Sequence, residues 1–225
     1  NAVDTNTGIL YKMKFRGADR IMRYDIDADD FLATIARPSM EPTNYGHDGG
    51  LEFIPTRGAS GALWCFHADR NNNTPMISEY DIATGVWSTL LSSSGSQLGI
   101  RPPDDIVRTM AISYNPRAFS GAGGVLVGSI GGAYKVNCAT LAISSAGTPP
   151  REITPANGLK LCGDPSGTGW YYADNSVSGY MYYCDGSTWT QQEQLPSDIG
   201  TPGNTYPIVL CPIHAEGSNY GVIWL

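Results

Sequence analysis

The chain has 225 residues, a formal net charge of −7 and a sequence pI of about 4.8. This acidic balance argues against nucleic acid as the main partner, because such binding depends on neutralising phosphates with Lys and Arg. No apolar run approaches the ~18 residues of a membrane-spanning helix. The 27 Gly and 15 Pro, with only 16 % charged residues, indicate many short strands joined by tight turns. Because the chain starts at Asn1 rather than Met, we expect a processed protein or part of a longer one.

A hairpin motif recurs along the chain. In each copy a Tyr ends one strand, a polar turn follows, and a large apolar residue seven positions later starts the next strand. The tyrosines are separated by 56, 54 and 48 residues. We name the two strands of each hairpin c and d. The four copies are Tyr24 to Phe31, Tyr80 to Trp87, Tyr134 to Leu141, and Tyr182 to Trp189.

Two further strands, a and b, precede the hairpins. Strand b starts with a glycine followed by apolar residues, beginning at Gly8, Gly61, Gly124, Gly169 and Gly221. Strand a precedes it, at 51–54, 107–113, 159–162 and 208–213. Units of four strands repeating about every 50 residues are typical of a β-propeller. The prediction is therefore an all-β, single-domain propeller (1–225) of four to five four-stranded blades, with hairpins near 20–35, 76–91, 132–144 and 180–192. A β-sandwich or β-solenoid is the alternative.

The ends of the chain leave ring closure open. The sequence opens and closes on a predicted strand b. Residues 206–225 can supply strands a and b of a last blade that 20–35 completes, which leaves 8–15 surplus. Alternatively, 8–15 is the true strand b of the first blade and 221–225 lies elsewhere. A third alternative is that the chain is a stretch of a longer propeller, or that another chain completes the ring. We favour closure within the chain by strands from both termini.

The stretch Tyr80-Asp81-Ile82-Ala83-Thr84-Gly85-Val86-Trp87 resembles the kelch hairpin and the hairpins of propeller-bearing tail and nozzle proteins of tailed phages. The paired glycines that end the second strand of a kelch repeat are missing from most repeats here. The resemblance implies a non-enzymatic virion component, a tail protein or receptor-binding spike, that mediates assembly or host attachment. Its expected location is the virion or the extracellular space. Its expected partners are further copies of itself, other virion proteins and host-surface glycans.

The candidate site lies on the connections from strand d to the next strand a. In a propeller these emerge on the same face as the b–c connections. Polar side chains on these connections would form a ring on that face. Such a ring can coordinate a cation such as Ca²⁺ or hydrogen-bond sugar hydroxyls. The alternative is that Asp and Asn serve only as turn residues. The candidate ligand-binding residues are His47, Asp48, Asp104, Asp105, Asn157 and Asn204.

Three alternative interpretations concern particular carboxylates and tryptophans. Asp48 with Asp104 or Asp105 is the only carboxylate pair we would nominate for a glycosidase, and no catalytic residue is predicted. The run from Asp25 to Asp30 is spaced like a calcium loop but lacks its glycine and distal Glu, so an exposed hairpin is expected. A lectin-like propeller would use tryptophans as stacking platforms, but we expect core positions between sheets for Trp64, Trp87, Trp170 and Trp189.

The five cysteines form no CxxC motif and match no zinc-site spacing. Most fall inside predicted strands, so we expect buried thiols that act as small apolar side chains. A disulfide between neighbouring strands is the alternative, and it would leave one cysteine over.

Overall fold

The computed structural model describes residues 2–13, 20–37, 50–69, 74–92, 111–129, 132–149, 160–164, 166–173, 180–194, 210–213 and 221–224. These residues form an all-β structure, with one short 3-10 turn at Phe119–Gly121 and no α-helix. Within this part of the chain, no helix has the length and apolar character needed to cross a membrane.

The strands assemble into four antiparallel four-stranded sheets and one strand pair, counted over the described ranges. In every four-stranded sheet the strands lie side by side in chain order, so each sheet is a meander of strands a, b, c and d. Sheet 1 contains β1 (Ala2–Asp4), β2 (Ile9–Met13), β3 (Arg20–Asp25) and β4 (Asp30–Ala36). Sheet 2 contains β5 (Gly50–Ile54), β6 (Ala62–Asp69), β7 (Thr74–Asp81) and β8 (Val86–Ser92).

Sheet 3 contains β9 (Ala111–Asn115), β10 (Gly124–Ser129), β11 (Gly132–Asn137) and β12 (Ile143–Ser145). Sheet 4 contains β13 (Lys160–Gly163), β14 (Trp170–Ala173), β15 (Tyr180–Cys184) and β16 (Trp189–Gln194). The strand pair is β17 (Leu210–Ile213) with β18 (Gly221–Trp224). The predicted repeat of four-stranded sheets is thus confirmed.

The start of the chain corrects one expectation. The chain does not open on strand b, because Ala2–Asp4 pairs antiparallel with Ile9–Met13 and supplies strand a. The segment 8–15 is therefore not surplus. Residues 20–35 pair with this N-terminal strand b, and not with residues 206–225 as the first closure scheme requires. Sheet 1 is complete in itself, in agreement with the second scheme.

The hairpin register follows the prediction in the first two sheets. Tyr24 lies opposite Phe31 and Tyr80 opposite Trp87, with ring centroids 5.2 Å apart in both pairs. A four-residue turn separates the strands in each hairpin. Each of the two turns is therefore flanked by an aromatic pair that packs across strands c and d.

The register differs from the prediction in sheets 3 and 4. Tyr134 lies opposite Ser145 and not Leu141, because the four-residue turn follows Asn137 instead of Lys135. Trp189 starts β16, as predicted, but it lies opposite Cys184 and not Tyr182, because Asp185 bonds Thr188 and leaves only Gly186 and Ser187 between them. The predicted alignment on tyrosine is wrong for these two repeats.

The chain divides into two compact units, residues 1–112 and 113–225. In the first unit, one face of sheet 2 packs on one face of sheet 1. Sheet 2 contributes a row of cross-strand neighbours, which are Phe53, Leu63, Tyr80 and Trp87. These side chains share one core cluster with Ile9, Tyr11 and Ile21 of sheet 1. Full burial of each large apolar side chain contributes about 1.5–3 kcal/mol, so this interface is a major source of stability.

In the second unit, the equivalent row of sheet 4 packs on sheet 3. In sheet 4 the cross-strand neighbours are Gly163, Trp170, Cys184 and Trp189. Trp170 and Cys184 are buried in a cluster with Leu126 and Ala133 of sheet 3. At the inner end of the row a side chain on Gly163 would collide with the carbonyl oxygen of Tyr114. Glycine is needed there because the backbones of two sheets meet.

Candidate functional site

The six predicted site residues lie outside the described part of the chain. Their sequence positions place them between strands d and a, as predicted. His47 and Asp48 fall between β4 and β5, and the other four fall in the three later d–a connections. Whether they converge on a ligand stays a prediction. The described residues form the sheets that carry these connections and the turns at the opposite ends of the strands.

The tryptophans are structural. Trp64 and Trp170 are 0 % and 1 % exposed, so neither can act as a stacking platform for a sugar. The indole N–H of Trp170 donates to the carbonyl oxygen of Ser113 at 3.0 Å, which joins sheet 4 to sheet 3. Both residues are buried as expected, and Trp170 lies in the core between sheets 3 and 4.

Trp87 and Trp189 make a second kind of link. Each is the first or second residue of a strand d, and each donates its indole N–H to a carbonyl at the end of the preceding strand d or one residue beyond it. Trp87 binds Ala36 at 2.8 Å, and Trp189 binds Ala146 at 2.9 Å. The same bond therefore holds strand d to strand d in both units. Buried or half-buried indoles need such an acceptor, because an unsatisfied N–H is costly.

The polar cluster of sheet 2 was not foreseen from the sequence. The carboxylate of Glu79 accepts from the guanidinium of Arg57 at 2.8 and 3.1 Å and from the indole N–H of Trp64 at 2.7 Å. Arg57 also lies over the Trp64 ring, 5.9 Å from its centroid. Both charged side chains are largely buried, at 22 % and 15 % exposure. The cluster fixes the a–b turn of sheet 2 to its strands b and c.

Asn115 plays the corresponding part between sheets 3 and 4. Its side chain is buried, and its amide N–H group donates to the carbonyls of Asp164, Gly167 and Gly169 at 3.3, 3.1 and 2.6 Å. The end of β9 thereby holds the β13–β14 turn. An isolated Asn after a strand is an ordinary turn residue in sequence, so nothing in the sequence distinguished this one.

An Asp or Asn opens every c–d turn. Its side-chain oxygen accepts from backbone N–H groups two or three residues later, which fixes the turn without help from other elements. These residues occupy the same place in the four hairpins and are a better marker of the repeat than the tyrosines. They are Asp25, Asp81, Asn137 and Asp185.

The acidic run at the first of these turns is an exposed hairpin, as expected. Asp25 accepts from the backbone of Asp27 and Ala28, and Asp29 accepts from the hydroxyl of Tyr24. No group of three or more potential metal ligands occurs among the described residues. The carboxylates at this turn are therefore accounted for by the hairpin.

A buried Ser–His pair lies in sheet 2. His67 Nε2 and Ser78 Oγ share a hydrogen bond of 2.8 Å across strands b and c. The two residues are 1 % and 4 % exposed, so no substrate can reach this pair. The pair links two strands and gives no support to a nucleophilic site.

The cysteines agree with the expectation of buried thiols. Four of them take part in no disulfide and are buried, whereas the side chain of Cys211 lies beyond the described set. Burial raises the pKa of the Cys65 thiol to about 12 and also raises the pKa of Cys184. The thiolate is the reactive form, so these groups are inert in the folded protein.

Comparison with protein-family models and curated proteins gives no relative. No protein-family model matches the sequence, and no curated protein matches it. The repeat and its internal geometry are therefore the basis for proposing a function.

Proposed function

We propose that this chain is a β-propeller that acts by binding and assembly, as a virion component of the tail or receptor-binding spike type. The observation that carries the proposal is the repeated link between strands d. Trp87 reaches Ala36 in one unit and Trp189 reaches Ala146 in the other, so consecutive sheets are related in the same way in both. Sheets that repeat one relation in one direction are what a propeller is built from.

The inner strands support the same arrangement. Within the first unit, strand a of sheet 1 (β1) lies next to strand a of sheet 2 (β5). Within the second unit, strand a of sheet 4 (β13) lies next to the following strand a, β17. Neighbouring strands a beside one another, with strands d linked outside them, are expected for blades arranged around an axis.

Binding is assigned to the face that carries the d–a connections. A rigid scaffold with longer connections on one side is a common arrangement for binding proteins, because the connections can vary without disturbing the core. The residues proposed to bind the ligand remain His47, Asp48, Asp104, Asp105, Asn157 and Asn204. Their chemistry suits a Ca²⁺ ion or the hydroxyl groups of a host-surface glycan.

The virion assignment is supported by the Tyr80-to-Trp87 hairpin and by the low content of charged residues. It is tested on particles. Virions purified from the source culture are analysed by mass spectrometry and labelled with gold-conjugated antibody against the chain. Label at the tail or at surface spikes is expected. Particles without the chain would refute the assignment.

The site is tested with the purified chain. Calorimetric titration with CaCl₂ and a glycan array are compared for the native protein and for the double variant Asp104→Asn/Asp105→Asn. Loss of binding in this variant, with binding retained in Asp29→Asn, is expected. Equal binding by all three proteins would remove these carboxylates from the site.

A further inference from the structure

Two tyrosines of sheet 4 lie side by side on neighbouring strands. Tyr171 on β14 is the cross-strand partner of Tyr183 on β15. Their ring centroids are 5.1 Å apart, and the ring planes are inclined by 55°. Directly opposite residues of an antiparallel pair have Cβ atoms about 4.5–5.5 Å apart, so the backbone itself keeps the two rings together. The contact is therefore a property of sheet 4 alone.

The hydroxyl of Tyr183 donates to a buried carboxylate. Asp164 directly follows β13, is 5 % exposed, and accepts this hydrogen bond. Burial first, then the charge of Asp164 and this bond, raise the pKa of Tyr183 to about 12. Tyr183 therefore keeps its proton at neutral pH, and a base that can take the proton is in contact with it.

The turn between β13 and β14 encloses the hydroxyl and the carboxylate. A β-carbon on Gly169 would lie 2.5 Å from the Tyr183 hydroxyl, and a β-carbon on Gly167 would collide with the Asp164 carboxylate. The backbone N–H of Gly169 also donates to the Tyr183 hydroxyl. The two glycines thus allow the turn to close on the Tyr183 hydroxyl, which fixes this ring beside Tyr171.

This arrangement favours one chemical reaction. A phenol gives up an electron more easily when a base accepts its proton at the same time, and Asp164 is placed to do this for Tyr183. The resulting tyrosyl radical carries unpaired spin on the carbons ortho to its oxygen. A second radical on Tyr171 would lie within the same contact, where the two rings can couple.

We propose that Tyr171 and Tyr183 form an oxidative cross-linking site, at which a one-electron oxidant couples the rings as dityrosine with Asp164 as the proton acceptor. Each ring loses one electron and its phenolic proton, and a bond forms between one ortho carbon of each ring. The hydrogen on each of these carbons then moves as a proton to the phenolic oxygen, which restores the aromatic rings. The oxidant takes both electrons, and both released protons go to water, the one from Tyr183 through Asp164. The product joins strands b and c of sheet 4 covalently.

The proposal is tested on the full-length chain with a photoactivated ruthenium complex and persulfate, which takes up both electrons and becomes sulfate. Monomeric product is isolated and cleaved before its aspartates, which places Tyr171 in the peptide 164–173 and Tyr183 in the peptide 174–184. We expect a product with dityrosine fluorescence that joins these two peptides and is lighter than their sum by two hydrogen atoms. Tyr171→Phe and Tyr183→Phe should each lose this product.

Tyr172 and Tyr182 provide the matched controls. They are also cross-strand partners on β14 and β15, with ring centroids 6.0 Å apart and planes inclined by 21°. Tyr172→Phe and Tyr182→Phe should form the product as the native chain does. Asp164→Asn should form it more slowly, measured by dityrosine fluorescence, because an amide cannot accept the phenolic proton. Circular dichroism checks that each variant is folded, and Tyr171→Phe serves if Tyr183→Phe does not fold.

Four outcomes would overturn the proposal. The first is a native chain that gives no product joining the two peptides. The second is a product that persists in folded Tyr171→Phe or Tyr183→Phe. The third is an equal yield in urea, where the two rings are no longer neighbours. The fourth is an unchanged rate of coupling in folded Asp164→Asn.

Discussion

The indole N–H of Trp87 donates to the carbonyl oxygen of Ala36 at 2.8 Å and so joins strand d of sheet 2 to strand d of sheet 1. Removing this bond while keeping an aromatic side chain isolates its contribution. Trp87→Phe should lower the free energy of unfolding by about 1 kcal/mol from the lost hydrogen bond, with a further loss from the smaller ring. Urea unfolding measures the change, and Val86→Ala next to it serves as the control. An unchanged midpoint for Trp87→Phe would show that the bond is not made in solution.

The carboxylate of Glu79 should stabilise the fold through its bonds to Arg57 and Trp64 together. Glu79→Gln keeps the shape of the side chain but removes the charge that Arg57 faces. It should lower the free energy of unfolding by about 2 kcal/mol. A double-mutant cycle with Arg57→Met separates the ion pair from the bond to Trp64. A coupling energy of zero between the two substitutions would contradict the bidentate geometry.

Gly85 should be intolerant of a β-carbon for backbone reasons. It adopts φ 72°, and only the hydroxyl of Tyr80, at 3.5 Å, lies near the position of a β-carbon. Gly85→Ala should therefore destabilise by about 1 kcal/mol, and Gly85→Asn by less, since Asn tolerates the left-handed region better. Thermal unfolding of both variants measures the difference. Equal stability of the Ala variant and the native protein would indicate another turn geometry.

Asp185 should make the β15–β16 turn sensitive to acid. Bonds from the backbone N–H groups of Thr188 and Ser187, then from the Ser187 hydroxyl, lower the pKa of this carboxyl below its ordinary value of 3.8. The unfolded chain binds the proton more readily than the folded chain, so this contribution is present above pH 3.8 and is lost as pH falls through the lower folded pKa.

Titration of the Asp185 carboxyl by NMR tests the direction of the shift. In urea unfolding, Asp185→Asn should lose stability at pH 7 and show a smaller further loss towards pH 3. Asp30→Asn, at an exposed turn of sheet 1, is the control variant. A pKa for Asp185 at or above the ordinary value would refute the capping bonds.

The thiols should be unreactive in the folded state. With Cys211 replaced by Ser, the four remaining cysteines are buried, and the pKa of Cys65 is raised to about 12. A disulfide-exchange reagent at pH 8 should therefore label none of them until denaturant is added, when all four should react. Rapid labelling of native Cys211→Ser would contradict the burial of these residues.

Much of the scaffold was predictable because strands b, c and d have strong local signals. A glycine followed by an apolar run, or a Tyr before a polar turn, indicates a strand without tertiary information. β1 escaped prediction because Ala2, Val3 and Asp4 are too few for a pattern, and only pairing with β2 makes them a strand. Ring closure depends on how distant sheets meet, which no local signal encodes.

The register errors have a physical origin in the turns. Leu141 occupies the left-handed position that Gly85 and Asp29 occupy in their hairpins, although leucine disfavours it. Its size suggested the first residue of strand d, whereas the capping side chain of Asn137 sets the turn. Contacts between sheets, such as Asn115 with the β13–β14 turn, link residues about 50 positions apart and leave no trace in a single sequence.

A density map of the purified chain, at a resolution that separates β-sheets, tests the central claim most directly. We expect four-stranded sheets arranged side by side around one axis, with strands a innermost and Trp87 and Trp189 between adjacent sheets. Two layers of strands packed face to face, with these indoles in unlike surroundings, would contradict the account.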